Sequence, residues 1–379
     1  MYSHAGVTSL RRSSGLVIRA ARVALPAGVS GPHAVTCEQG LITSITPIIS
    51  DYDDVLLTPG FIDLQVNGIG AIDVAHARGD DWLSLDEALL QQGTTTWYPT
   101  LISSPLDSYA QKYARITEAQ NRPNGARPEI GGIHLEGPFL GEALGAHDPQ
   151  HIQLADTDWF SNIPDNVRVV TIAPENTAAM AAIGALRERD VVVSIGHTRA
   201  SDELTVATID AGAQLVTHIF NGMSGVHHRQ DGVALVALTD DRVAVSLIAD
   251  LIHVRPRAIN LAFRSKPQGV VLITDSVAYQ SKSALRRGIT HQDGAPRLPD
   301  GTLAGSSLAM NTAIKNIVRV GDVDLHLAIQ AATATPARLL GLSDRGAIAV
   351  GSRADLVALN DDFEVRSTWV TGELTYDRS

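Results

Sequence analysis

Short apolar runs recur through the middle of the chain, separated by stretches with helical spacing. They end at Gln65 (LLTPGFIDLQ), Thr100 (TTTWYPT), Gly137 (IGGIHLEG), Pro174 (VRVVTIAP), His197 (VVVSIGH), Phe220 (QLVTHIF), Asp250 (RVAVSLIAD) and Ser276 (GVVLITDS). Runs this continuous in Val, Ile and Leu are the pattern of parallel strands buried on both faces. Between them, Ser84-Leu85-Asp86-Glu87 reads as a capping-box start with Gly93 as the stop, and residues 176–190, 202–212 and 255–266 have helical length. Eight such alternations predict an α/β chain built as a (β/α)8 TIM-like barrel. An open doubly wound sheet is the rival architecture, but the glycine-rich GxGxxG turn it calls for is missing.

The two ends lack helical periods and read as short strands and turns. Residues 15–57 and 345–379 are therefore expected to pair into one small β-sandwich domain beside a barrel spanning 58–344, with residues 1–14 as a loose tail. Residues 280–299, polar and rich in Gly and Arg, read as a mobile lid.

Length and composition narrow the class without choosing a chemistry. A chain of 379 residues has room for a large domain and a minor one, and 44% hydrophobic with 19% charged residues is an ordinary globular balance. No apolar run approaches the ~20 residues of a membrane span, and the start lacks the apolar segment of a signal peptide. The single cysteine, Cys37, excludes an internal disulfide framework and a Cys-based metal cluster, which suits a cytoplasmic setting. A net charge of −11 argues against a nucleic-acid partner, and a membrane partner is not expected either.

The ends of the predicted strands carry an unusual set of polar residues: Asp63, Gln65 and Asn67, then Glu136, His197, His218, Asp250 with His253, and Asp275. In a barrel these ends form the active face. One histidine at a strand end is more often a hydrogen-bonded structural residue than a ligand. Two histidines and two carboxylates converging are costly to bury unpaired, and a divalent ion relieves all of them at once. Imidazole and carboxylate donors with an open position suit zinc or another first-row ion, which lowers the pKa of bound water toward about 7. Asp275, directly after VVLIT, is placed to take the proton of that water and pass it to a leaving amine.

LTPGFIDLQVNG, GIHLEGPF, GAHDP, SIGHT, THIFNGM and LITDS, followed by DGTLAGSSLAMNTAIKN and TPARLLGL, resemble the amidohydrolase superfamily and, within it, the N-acetylglucosamine-6-phosphate deacetylase family. The likeness runs from about residue 57 to the end, in co-linear order. It implies one divalent ion per subunit on Glu136, His197 and His218, zinc first, with iron, cobalt or manganese also accepted by these donors. It implies Asp275 as acid/base, and Ala146, His147, Asn221, Gly222, His228, Arg229, Asp250, His253, Leu303, Ala304 and Gly305 as the binding set for an amino-sugar phosphate. In that family the arginine can reach the neighbouring subunit's site, so a homodimer is implied.

Two-metal amidohydrolases carry His-x-His after the first strand and a carboxylated lysine. Here that position reads Gln65-Val66-Asn67, and none of Lys112, Lys266, Lys282 and Lys315 follows a barrel strand, which favours a single ion with Gln65 as at most a weak metal or water contact. The implied reaction is hydrolysis of the acetamide of N-acetyl-D-glucosamine 6-phosphate. The galactosamine epimer, a dihydroorotase-like cyclic amidase and a non-catalytic scaffold on the same fold are the alternatives.

Overall fold

The computed structural model of the chain describes residues 15–378 apart from 124, 155 and 231, so the tail expected at residues 1–14 lies outside the described residues. Each of the eight runs forms a strand: β1 (Phe61–Val66), β2 (Thr94–Ile102), β3 (Ile133–Glu136), β4 (Val167–Ile172), β5 (Val192–Ile195), β6 (Leu215–Val216), β7 (Ala244–Ile248) and β8 (Val270–Ile273). Each pairs in parallel with the next. The ring closes where Val66 and Ser276 bridge in parallel, and the amides of Asn67 and Gly68 donate to the Ser276 carbonyl at 2.8 and 3.1 Å.

Every residue of β1, β3, β5 and β8 is buried, as strands covered on both faces should be. The outer layer includes α1 (Asp81–Gln91), α2 (Tyr109–Gln120), α3 (Thr177–Glu188), α4 (Asp202–Asp210), α5 (Val233–Thr239), α6 (Pro256–Ser265), α7 (Met310–Arg319) and α8 (Leu325–Ala332). Among the described residues, no helix is long and apolar enough to cross a membrane.

One local expectation is corrected. α1 starts at Asp81, before the Ser84 box, because the turn at Gly79 (φ 50°) already aligns the chain and the Ser84 amide donates to the Asp80 carbonyl at 3.1 Å. Residues 280–299 hold a short helix, Lys282–Arg286, followed by a hairpin pairing Thr290–Gln292 with Ala295–Arg297. Ser281 Oγ caps the helix through the Ala284 amide at 3.1 Å. Asp293 and Gly294, at φ 49° and 82°, make the two-residue turn that a twisted hairpin favours.

Both chain ends enter one eight-stranded sheet. Its strand Asp53–Pro59 runs antiparallel to Leu356–Leu359, and Ile18, Val35, Leu57, Leu356 and Trp369 share a core separate from the barrel's. The first apolar run is therefore two strands: it leaves this sheet at Pro59 and enters the barrel at Phe61. Gly60 makes the break. Its amide donates to the Asp355 carbonyl at 2.8 Å, and a Cβ there would lie 2.1 Å from Thr95 Oγ1.

Candidate active site

Glu136 is the last residue of β3, and His197 and His218 follow β5 and β6; all three are buried. Glu136 Oε1 stands 3.1 Å from His197 Nε2 and 3.0 Å from His218 Nε2, and the two nitrogens are 3.1 Å apart. The other ring nitrogens face carbonyls: His197 Nδ1 lies 3.0 Å from Ala143 O and His218 Nδ1 3.1 Å from Asn221 O. With each Nδ1–H donated to a carbonyl, both Nε2 lone pairs and a carboxylate oxygen converge on one point. Such crowding of acceptors is repulsive unless a cation or proton sits between them. Donors around an ion at about 2.1 Å lie about 3–3.4 Å from one another, so the spacing fits a single first-row divalent ion.

His147 joins the group from the loop after β3. A donor atom from each of Glu136, His147 and His197 lies within 4.8 Å of the others, but His147 Nε2 is 3.8 Å from Glu136 Oε2. That is too far for the tight triad above, so His147 borders the triad from one side. Burial pushes its pKa down to about 3, and the neighbouring His197 adds to this. Burial also works against ionisation of Glu136, but hydrogen bonds to His197 and His218 outweigh it and hold the carboxyl well below its usual range. The nearby His134 shows what a structural histidine looks like. It spans the barrel floor between Leu64 O (2.9 Å) and Thr171 Oγ1 (2.8 Å), and both nitrogens are satisfied.

Asp275, after β8, faces the triad. Its Oδ1 accepts from Asn67 Nδ2 at 2.7 Å and from Gln65 Nε2 at 3.1 Å, while Gln65 also donates to Glu136 Oε1 at 3.0 Å. Burial, then the charge of Glu136, pushes the Asp275 pKa up to about 8. A carboxyl so poised exchanges a proton near neutrality. His197, His218 and Asp275 all hold left-handed backbone, at φ 51°, 33° and 47°. Non-glycine residues adopt it only when the surroundings enforce it, and here it turns three side chains inward at the strand ends.

A cavity of about 480 Å³ opens over these groups. Ala146, His147, Asn221, Gly222, His253, Leu303, Ala304 and Gly305 line it. Asp250 is not among its walls. Its Oδ1 accepts from the Ile252 and His253 amides at 2.8 and 2.7 Å and its Oδ2 lies 2.6 Å from His253 Nδ1, so it orients His253 instead. Gln65 stands behind the triad, outside the walls. His228 and Arg229 are exposed and away from this cavity, with Arg229 Nε donating to His228 Nε2 at 2.9 Å.

Among the wall residues that sequence reasoning misses, three are polar groups aimed at the cavity's chemistry or charge: Asn67, Lys112 and Arg287. Asn67 is visible in the strand-end pattern but receives no role from it. Lys112, on α2, and Arg287, after the short helix that follows β8, have no local motif. Only the closure of the barrel brings them to the cavity.

Known proteins share this arrangement. The sequence profile of the amidohydrolase family matches residues 56–375. An N-acetylgalactosamine-6-phosphate deacetylase of Escherichia coli O157:H7 is 34% identical over 374 residues, 94% of this chain and 98% of its own. The N-acetylglucosamine-6-phosphate deacetylase of Bos taurus is 36% identical over 344 residues, 85% of this chain and 83% of its own. The crystal structure of N-acetylglucosamine-6-phosphate deacetylase from Thermotoga maritima superposes with a TM-score of 0.86 at 31% identity, covering 96% of this chain and 100% of that one. The profile begins where the end sheet hands the chain to the barrel and takes in every strand-end residue of the site, so this chain belongs to the amidohydrolase family.

Proposed function

We propose that the chain hydrolyses the N-acetyl group of N-acetyl-D-glucosamine 6-phosphate, releasing D-glucosamine 6-phosphate and acetate. The convergence of Glu136 Oε1, His197 Nε2 and His218 Nε2 within 3.1 Å, facing Asp275, carries this reading. The names of relatives at 34–36% identity over most of the chain support the substrate class. Galactosamine remains a second reading, because the Escherichia coli relative named for that epimer aligns over 98% of its length.

A divalent ion, zinc by donor type, would be held by Glu136, His197 and His218, where it would polarise the acetyl carbonyl and acidify water. The chain's own groups do the rest. Asp275 takes a proton from the attacking water and returns it to the amide nitrogen as the C–N bond breaks, so a neutral amine and acetic acid leave, the acid then losing its remaining proton to solvent as acetate. His253, held by Asp250, is oriented to donate to the acetyl oxygen as charge builds there. Asn67 and Gln65 fix the Asp275 carboxyl through their amide donors.

The decisive measurement is acetate release from the 6-phosphates of N-acetylglucosamine, N-acetylgalactosamine and N-acetylmannosamine, with metal content determined on the same sample. Turnover of the first with about one ion per chain is the expected result. No acetate from any of the three would remove the reading.

We also propose a homodimer. Arg229 is exposed and outside its own cavity, so it meets a substrate phosphate only in another copy's site. Arg229→Ala should raise KM for the phosphorylated sugar about 10- to 100-fold, the effect of losing a charged hydrogen bond. Mixing it with Asp275→Asn protein should restore activity, since one site of each mixed dimer then holds both wild-type groups. Absence of any recovery in a sample proven mixed would refute the exchange. The buried, unpaired Cys37 is compatible with the cytoplasmic setting we assign.

A further inference from the structure

The layer of the barrel beneath the triad is polar, where barrel interiors are usually filled by branched apolar side chains. His134 on β3, Thr171 on β4, Ser194 on β5 and Thr217 just after β6 are all buried. They meet in one unbroken chain. His134 Nε2 lies 2.8 Å from Thr171 Oγ1, which lies 2.8 Å from Thr217 Oγ1, which lies 2.5 Å from Ser194 Oγ. Gly196 leaves room for it: a Cβ there would stand 2.7 Å from Thr171 Cγ2 and 3.0 Å from Thr217 Cβ.

The chain runs in one direction only. His134 Nδ1 lies 2.9 Å from the Leu64 carbonyl, which can only accept, so this nitrogen carries the proton. Burial pushes the pKa of the ring down to about 4, so it is neutral and Nε2 is bare. Thr171 therefore donates to Nε2. Having a single proton, it must accept from Thr217, which in turn accepts from Ser194. Every hydroxyl proton is thereby assigned, with Ser194 leading the chain as its first donor.

The same strands carry the triad. His134 is two positions before Glu136 on β3, so the two side chains leave the strand on the same face. Thr171 is the register partner of both Glu136 and Ser194, and its carbonyl takes the Gly137 amide at 3.1 Å. Thr217 directly precedes His218, where the backbone turns left-handed, and Ser194 is three positions before His197. Buried hydroxyls are costly unless satisfied, and a fully satisfied network specifies one arrangement of the elements it joins. An apolar layer would fill the space without fixing how one strand stands against the next.

We propose that the directed chain Ser194–Thr217–Thr171–His134 is a positioning device: it holds the ends of β3, β5 and β6 at the spacing the triad needs, and so sets how tightly Glu136, His197 and His218 grip their ion. None of the four belongs to the triad or lines the cavity, so they act through the residues that do. The assignment rests on the reading of the triad as a metal site, and on no particular substrate.

The test strips the full chain of metal and measures its zinc Kd against a competing chelator. The visible absorption of the cobalt-loaded protein is the second readout. Thr217→Val and Thr171→Val keep shape but interrupt the chain, while Thr217→Ser puts the hydroxyl back. Ser194→Ala removes only the first donor and strands no other proton. Thr208→Val deletes a buried hydroxyl on α4 that donates to the Leu204 carbonyl, and so controls for general loss of stability. Zinc Kd should weaken about 10-fold in Thr217→Val and Thr171→Val, recover in Thr217→Ser, change less in Ser194→Ala and stay unchanged in Thr208→Val. The cobalt absorption should shift in the two interrupted variants and in neither Thr217→Ser nor Thr208→Val.

A folded Thr217→Val or Thr171→Val with unchanged Kd and unchanged absorption refutes the proposal, and either variant decides if the other does not fold. Equal weakening in Thr208→Val also refutes it, since the effect is then one of stability. A loss in Ser194→Ala as large as in Thr217→Val overturns the assigned direction. If the unchanged protein binds zinc but releases no acetate from any amino-sugar phosphate, the deacetylase reading fails and this test still stands. If it binds no zinc, the positioning role falls with the metal site.

Discussion

Replacing Asp275 by asparagine is expected to lower kcat by about 10²–10⁴ while metal content stays at the level of the unchanged protein. The substitution keeps shape and one oxygen. That oxygen can still accept from Asn67 Nδ2 and Gln65 Nε2, the two donors that now stand 2.7 and 3.1 Å from the carboxylate, so the side chain stays in place. What disappears is the titrating oxygen. Asparagine can neither take a proton from water nor give one to the departing nitrogen, and the reaction needs both. Because Asp275 is not one of the three converging donors, the ion's holders are untouched. Wild-type rates in this variant would remove Asp275 from the acid/base role. Loss of metal along with rate would instead make it a ligand.

His197→Ala is expected to fail earlier, at the stage of holding the ion. It deletes one of three donors packed within 3.1 Å, and it frees the Ala143 carbonyl that its Nδ1 now engages. Loss of a residue that merely supports a ligand weakens a metal by about 10- to 100-fold, so loss of the ligand itself should cost more. The purified variant should hold far less than one ion per chain and show no measurable acetate release. Its melting temperature should no longer rise when metal is added, since an ion that does not bind cannot stabilise by mass action. Stoichiometric metal in His197→Ala would mean the ion sits elsewhere. His147, 3.8 Å from Glu136 Oε2, is then the first neighbour to examine. The two variants separate holding the ion from using it.

Much of the barrel and of its Glu136–His197–His218 triad is legible in the amino-acid sequence, for a physical reason. Parallel strands buried on both faces write themselves as continuous apolar runs, and a polar residue ending such a run is conspicuous. Glu136, His197, His218 and Asp275 all lie just there. The misreadings come from breaks that hydrophobicity does not mark. LLTPGFIDLQ is one apolar stretch but two strands in two sheets, and only the close approach of Thr95 to Gly60 separates them. The run 280–299 is mostly polar, yet a serine cap and an Asp-Gly turn give it a short helix and a hairpin that hydrophobicity does not announce. Lys112 and Arg287 are silent in the sequence for a different reason. They are 175 positions apart and meet the same cavity only because β8 closes onto β1. Asp250 ends its run as the other site residues do, and the fold sets its carboxylate against His253, a contact that spacing alone does not announce.

The sheet built from both chain ends bears on biosynthesis. Its strand Asp53–Pro59 leads straight into the barrel, and its antiparallel neighbour Leu356–Leu359 comes from near the other end of the sequence. On the ribosome the first of these emerges long before the second exists. Until residues 355–359 have been made, Asp53–Pro59 has an open edge, and the Gly60 amide lacks the Asp355 carbonyl that anchors it. A nascent chain can thus assemble its barrel in order, one strand beside the last, yet cannot fasten the barrel's point of entry until residues 355–359 appear. Fusions or truncations at the carboxyl end would therefore act on the first barrel strand, far away in sequence but adjacent in space.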